Sequence, residues 1–253
     1  MMFSKVGNIS ISIIVLLLTA FLAGCESHPS PKLTPGSTSV SVPQTSKQFD
    51  LSKYAFPTSI DPSKQYLFYL HGKIIEDQGI PAIDPNYGEY EYQAILEKLA
   101  SYGFIVISEK RAKNTDGMEY AKRITEQVST LLKAGVPAKN ITVVGASKGG
   151  GIAIFISHLL MNKDINYVIL AICDSDTTHQ MEQNGINLYG NVLSIYDSSD
   201  TAAGSCQGLF SFSEGKGLSK SNEIVLNLGL GHGLLFKPLD AWIVPTIQWA
   251  GKP

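Results

Sequence analysis

Six stretches of strand length in this chain, 66–70, 104–108, 141–145, 167–172, 191–196 and 223–228, are apolar almost without interruption. A strand with one face in water alternates polar and apolar residues. Continuous runs therefore predict strands covered on both faces, as in a parallel sheet. Between the runs lie segments of helical period. "EYEYQAILEKLASYG" sets Tyr92, Ile95, Leu96 and Leu99 on one face and stops at Gly103. "MEYAKRITEQVSTLLKAG" does the same with Ile124, Val128, Leu131 and Leu132, and ends at Gly135 before Pro137. "KGGGIAIFISHLLMN" follows Ser147, and "DAWIVPTIQWAG" closes the chain with Pro245 expected to break or kink it. Alternation of this kind predicts an α/β fold of three layers, a mostly parallel central sheet with helices on both faces. Short segments near Phe49 and Tyr54 are expected to add antiparallel edge strands.

The first residues read as an address. One charge, Lys5, precedes an apolar run at 9–23 that falls short of the about 20 residues needed to span a bilayer, so 1–24 is expected to be a signal peptide. Its end, "LAGC", resembles the lipobox of bacterial lipoproteins. That resemblance implies cleavage before Cys25, lipid on Cys25 and attachment to a membrane of the cell envelope, the outer one in a Gram-negative host. Residues 25–47 are rich in Ser, Thr and Pro with few large apolar side chains, and are expected to form a flexible tether. Residues 48–253 then form one domain, large enough for a sizeable core.

Without residues 1–24 the chain carries 19 basic and 22 acidic residues, a net charge of −3 that gives no reason to bind nucleic acid. The cluster Lys110, Arg111 and Lys113, flanked by Glu109 and Asp116, reads as a solvated loop. Cys173 and Cys206 are an even pair in an exported chain. They are read either as a disulfide or as two buried small apolar side chains.

The stretch "VVGASKGGGIA" admits two chemistries. As G-x-S-x-G it is a sharp strand-to-helix turn that exposes a nucleophile, Ser147. As Gly145, Gly149 and Gly151 it resembles the phosphate-cradling loop of short-chain dehydrogenases, with Asp174 in place to hold the ribose of NAD(P). The rest of the chain favours the first. Positions four residues after Tyr167, Tyr189 and Tyr196 hold no lysine, where the dehydrogenases carry Y-x-x-x-K. A serine hydrolase of this kind needs an acid and then a histidine, each past a later strand. Of the five histidines, His28 lies in the tether, His71 precedes the serine, His158 sits within a helix and His179 precedes the candidate acids. His232, between Gly231 and Gly233 after the last run, is left. Asp197 and Asp200 follow the fifth run.

Together "FYLHGK", "VVGASKGG", "IYDSSD" and "GHG" resemble, in order and spacing, a small α/β-hydrolase-fold serine hydrolase from about Tyr66 onward. More narrowly, "HGKIIEDQG" and "YGEYEYQAIL" with "VVGASKGG" look like a group of bacterial α/β hydrolases. The resemblance implies a triad of Ser147, Asp200 and His232. Asp200 is preferred over the alternative acid Asp197 because related hydrolases place theirs three residues beyond a glycine at the Asp197 position. It also implies an oxyanion hole built from the N–H of Lys148 and, after the His71–Gly72 pair, of Lys73 or its neighbour Gly72.

The activity implied is hydrolysis of an ester or similar small acyl substrate, with no metal and no cofactor. A non-catalytic envelope-binding protein on the same scaffold is the alternative from another class, and the oligomeric state is left open. Residues 173–190 are polar, and 74–89 is short and holds Pro81 and Pro85. Neither segment is suited to cover a lipid chain, so short acyl groups are expected.

Overall fold

A computed structural model describes residues 49–251. The expected signal peptide, the expected lipidation of Cys25 and the expected tether lie outside the described residues. All six apolar runs become strands. In chain order the strands are β1 (Tyr66–Leu70), the short pair β2 (Ile83–Asp84) and β3 (Gly88–Glu89), β4 (Ile105–Ile107), β5 (Ile141–Ala146), β6 (Asn166–Leu170), β7 (Gly190–Asp197) and β8 (Leu218–Leu226). β2 and β3 form an antiparallel hairpin. The other six make one sheet in the order β4-β1-β5-β6-β7-β8, and every neighbouring pair is parallel.

Among the described residues seven α-helices accompany them: α1 (Lys73–Gln78), α2 (Tyr92–Ser101), α3 (Gly117–Lys133), α4 (Lys148–Leu160), α5 (Ser175–Gln183), α6 (Gln207–Ser213) and, after the last strand, α7 (Asp240–Trp249). The chain moves outward from β1 to β4, returns past β1 to β5, then steps outward again through β6, β7 and β8. A right-handed crossover puts helices on opposite faces for opposite directions of travel. So α2 packs with α7 on one face, around Leu67, Val144 and Leu193, while α3 to α6 pack on the other, around Phe68, Val143 and Tyr167. The reversal separates the C-terminal ends of β1 and β5, which is where open α/β sheets bind ligands.

Local chemistry sets the ends of these elements. Asp116 caps α3 by accepting the Glu119 N–H at 2.9 Å, and Gly135 leaves the helix at φ +89°, a conformation that costs glycine little.

Two expectations need correction. Residues near Phe49 and Tyr54 add no strand: Leu51–Tyr54 is a 3-10 turn, closed by the Asp50 carboxylate on the Ser52 N–H and hydroxyl. It meets the sheet through one bond, from the Ser108 N–H to the Tyr54 carbonyl, and a side-chain acceptor has taken the place of a ladder. Nor does Pro245 end the last helix, since α7 runs through it. An interior proline costs about 3 kcal/mol. Trp242, Ile243 and Ile247 are all buried against the sheet, each at about 1.5–3 kcal/mol, and outweigh it.

Of the two readings of the cysteines, the bonded one holds. Cys173 and Cys206 form a disulfide with Cα atoms 5.0 Å apart, joining the segment before α5 to the start of α6. Its loop of 33 residues is expected to stabilise the fold by about 3–4 kcal/mol. Urea unfolding of a Cys173→Ala, Cys206→Ala double variant measures this, and an unchanged midpoint would count against any role for the bridge.

Candidate active site

Ser147 sits at the hinge between β5 and α4 with φ 52° and ψ −121°, a region that non-glycine residues rarely enter. Holding it there costs about 1–3 kcal/mol. Close packing on both sides supports the turn. A Cβ on Gly145 would lie 2.1 Å from the Gly149 carbonyl oxygen, and one on Gly149 would lie 1.9 Å from that of Leu70. These two glycines are thus required so that strand and helix can approach each other. The Ser147 N–H donates to the Leu170 carbonyl, at the end of the neighbouring strand β6, at 2.8 Å.

The 3-10 turn Gly231–Phe236 after β8 carries His232, and the turn after β7 carries Asp200. His232 Nε2 lies 2.9 Å from Ser147 Oγ, and His232 Nδ1 lies 2.7 Å from Asp200 Oδ2. The structure therefore brings together three residues separated by long stretches of chain. The Asp200 carboxylate is almost fully buried, and its other oxygen accepts the Ala202 N–H at 2.9 Å.

Asp197 is built into the turn instead. Its Oδ1 accepts the Ser199 N–H and hydroxyl at 2.9 and 2.5 Å, and its Oδ2 accepts the Leu228 N–H at 2.9 Å. Burial alone would raise its pKa, but these bonds, together with one from the Leu230 N–H, outweigh it and hold the carboxyl below the usual range. Ser199 in turn accepts the Gly231 N–H at 3.0 Å, so Asp197 fixes the acid turn against the histidine turn.

Lys148 and Lys73 open α4 and α1, where backbone N–H groups have no acceptor within the helix. Gly72 brings the two together: a Cβ there would lie 3.7 Å from that of Ser147.

Comparison with solved structures gives esterase PE8 at TM-score 0.50, with 14% identity over 79% of this chain and 100% of that one. A putative dienelactone hydrolase from Klebsiella pneumoniae subsp. pneumoniae MGH 78578 aligns at TM-score 0.50, with 10% identity over 78% of this chain and 90% of that one. The chain has an α/β-hydrolase fold. No family model matches the sequence, and no curated protein matches it either.

Within this α/β-hydrolase fold the dehydrogenase reading loses its residues to structural work. Asp174 caps α5 by accepting the Asp176 and Thr177 N–H groups, and Gly149 is packed against β1.

A cavity of about 290 Å³ opens over Ser147 and His232, lined also by Ile74, Tyr87, Leu235 and Phe236. Segment 74–89 thus lines the site, through α1 and the β2–β3 hairpin, whereas none of the lining residues comes from 173–190. Tyr87 lies on the histidine turn, where a Cβ on Gly233 would come within 2.6 Å of its ring, and its centroid is 5.3 Å from that of Phe236.

The basic cluster needs a further correction. Lys110 and Lys113 are exposed, but Arg111 is buried. Its guanidinium donates to Glu76 Oε1 from Nε at 2.5 Å and to the His71 carbonyl from Nη2, while its backbone N–H donates to His71 Nε2 at 3.0 Å. His71 Nδ1–H donates to the Gly72 carbonyl at 2.7 Å. Burial, and after it the charge of Arg111, push the His71 pKa down from 6.5 to about 3. The bond that Nε2 accepts from the Arg111 N–H requires the neutral form.

Glu76, with no exposed side-chain surface, also accepts from Lys148 Nζ at 2.6 Å. This group of Glu76, Arg111 and Lys148 was not foreseen from sequence, because its members lie 35 and 72 residues apart along the chain.

Proposed function

We propose that the protein is a serine hydrolase acting on small esters or related acyl compounds, with Ser147 as nucleophile, His232 as general base and then acid, and Asp200 as the residue that orients His232. The observation that carries this reading is the single imidazole that bridges Ser147 Oγ and Asp200 Oδ2 at 2.9 and 2.7 Å. An isolated serine hydroxyl is a poor nucleophile at neutral pH. An imidazole 2.9 Å away accepts its proton as Oγ attacks the acyl carbon, and returns that proton to the leaving group. The Asp200 carboxylate fixes the tautomer in which Nε2 is free to accept, and stabilises the imidazolium. The N–H groups of Lys148 and Lys73, the first residues of α4 and α1, are the donors assigned to the oxyanion in this reading, since neither has an acceptor within its helix. Water then attacks the acyl-enzyme by the same route in reverse.

The cavity, at about 290 Å³, sits at the small end of the range for ligand pockets. Short acyl groups fit it best. Over p-nitrophenyl esters from acetate to decanoate, kcat/KM is expected to peak at two to four carbons, roughly, since each further methylene gains its about 0.8 kcal/mol only where protein covers it. A steady rise through decanoate would contradict this site and point to a lipid substrate.

The lipobox-like "LAGC" supports placing the enzyme on an envelope membrane through lipid on Cys25. Label from radioactive palmitate that is lost in Cys25→Ser, together with membrane association, tests the anchor. Unchanged association in that variant would rule it out.

A further inference from the structure

We propose that Glu76 is a positioning residue that sets the distance between the two oxyanion donors, by tying the helix that carries one to the side chain of the residue that carries the other. This inference rests on the hydrolase reading above and gives the buried ion group a function within it.

The geometry has three parts. Glu76 lies one turn into α1, whose first residue, Lys73, supplies one N–H. The other N–H belongs to Lys148, the first residue of α4. The Glu76 carboxylate uses one oxygen for each neighbour: Oε2 accepts from Lys148 Nζ at 2.6 Å, and Oε1 accepts from Arg111 Nε at 2.5 Å. Lys148 Nζ also donates to the Thr115 carbonyl at 2.7 Å, and the Arg111 guanidinium reaches back to the carbonyl of His71, directly before Gly72. The α1 start, the α4 start and the 111–115 segment are thereby held at one carboxylate. Glu76 and Arg111 are fully buried as side chains, and Lys148 is one-quarter exposed.

A buried ion pair is weak evidence for stability, because desolvation offsets most of the attraction. Its placement needs another explanation. Lys148 directly follows the nucleophile Ser147 at the start of α4, and its side chain reaches Glu76. The amide direction of a first helical residue is otherwise held only by the turn itself. An oxyanion donor contributes through its distance to the charge that develops in the transition state, so a small displacement removes catalysis without removing substrate binding.

The test uses the full mature protein and two variants, Lys148→Met and Glu76→Gln. Lys148→Met keeps the backbone N–H and most of the unbranched side chain, and removes the ammonium that makes the tie. Each variant is expected to lower kcat for p-nitrophenyl acetate by about 10- to 100-fold with KM within about threefold. The inhibition constant of a tetrahedral-adduct inhibitor, an alkyl boronic acid or trifluoromethyl ketone, should rise in proportion to the fall in kcat/KM. A residue that only stabilised the fold would leave that constant unchanged in the folded fraction, verified by circular dichroism at the assay temperature. The Lys148→Met, Glu76→Gln double variant should be little worse than either single one. Should Glu76→Gln fail to fold, Lys148→Met decides the matter alone. Unchanged kcat and inhibition constant in Lys148→Met overturn the positioning role while leaving the hydrolase reading intact. Activity that survives Ser147→Ala overturns that reading, and this inference with it.

Discussion

Replacing Ser147 or His232 by alanine should lower kcat/KM for p-nitrophenyl acetate by at least about a thousandfold, a loss of roughly 4 kcal/mol of transition-state stabilisation. His232 bonds both partners through opposite ring nitrogens, so each substitution breaks the same chain of proton transfer. The double variant should then be no worse than the worse single one, because residues acting as a unit do not add. Asp200→Asn should cost about the same order, by favouring the wrong imidazole tautomer. Asp197→Asn should act differently. Its carboxylate holds the Ser199 and Leu228 amides rather than the histidine, so the expected effect is lower stability with kcat within about tenfold of wild type. The opposite ranking in steady-state assays would move the acid role to Asp197, and near-normal activity in Ser147→Ala would end the assignment.

A second large effect concerns stability against pH. His71 stays neutral in the folded protein down to about pH 3, whereas its ordinary pKa is 6.5. As pH falls below 6.5 the unfolded chain takes up a proton that the folded chain refuses, so stability falls with pH through that window. Above it, His71 adds no pH dependence. The loss reaches about 2–3 kcal/mol by pH 4.5, and on the order of 4–5 kcal/mol near pH 3. Urea unfolding between pH 7.5 and 4.5 should show this loss in the wild type and a correspondingly smaller one in His71→Gln. Carboxylates such as Asp197 titrate in both proteins and cancel in the comparison. Equal slopes in the two proteins would mean that His71 titrates normally in the fold.

The sheet was legible because strands covered on both faces must be apolar throughout, and β1 lies over its predicted residues from end to end. Legibility failed where burial did. β8 begins at Leu218, five residues before its predicted start, since this edge strand opens with the exposed residues Ser219, Lys220, Ser221 and Asn222. α1, α5 and α6 were missed for a related reason. They are short, and α5 buries only Met181, which leaves no periodic stripe to read. A break or kink was expected in α7 because proline is a local signal, and the helix runs through because the packing of Trp242 is not local.

At the site, the residues that local motifs mark were readable: Ser147 in its glycine turn and His232 between two glycines. Asp200 came from a likeness to related hydrolases, and the choice over Asp197 rests physically on which carboxylate the turn consumes. Nothing local distinguishes Arg111 from Lys110 and Lys113. Only the fold places one of them beside Glu76 and turns the other two to water.

The central claim is that Ser147 is a nucleophile activated by His232. Treating the protein with a fluorophosphonate and mapping the adduct by peptide mass spectrometry tests it most directly. We expect one phosphonylated residue, Ser147, and a labelling rate in His232→Ala at least about a hundredfold slower. A wild-type protein that stays unlabelled, or an adduct on Ser147 that forms equally fast without His232, would contradict the account.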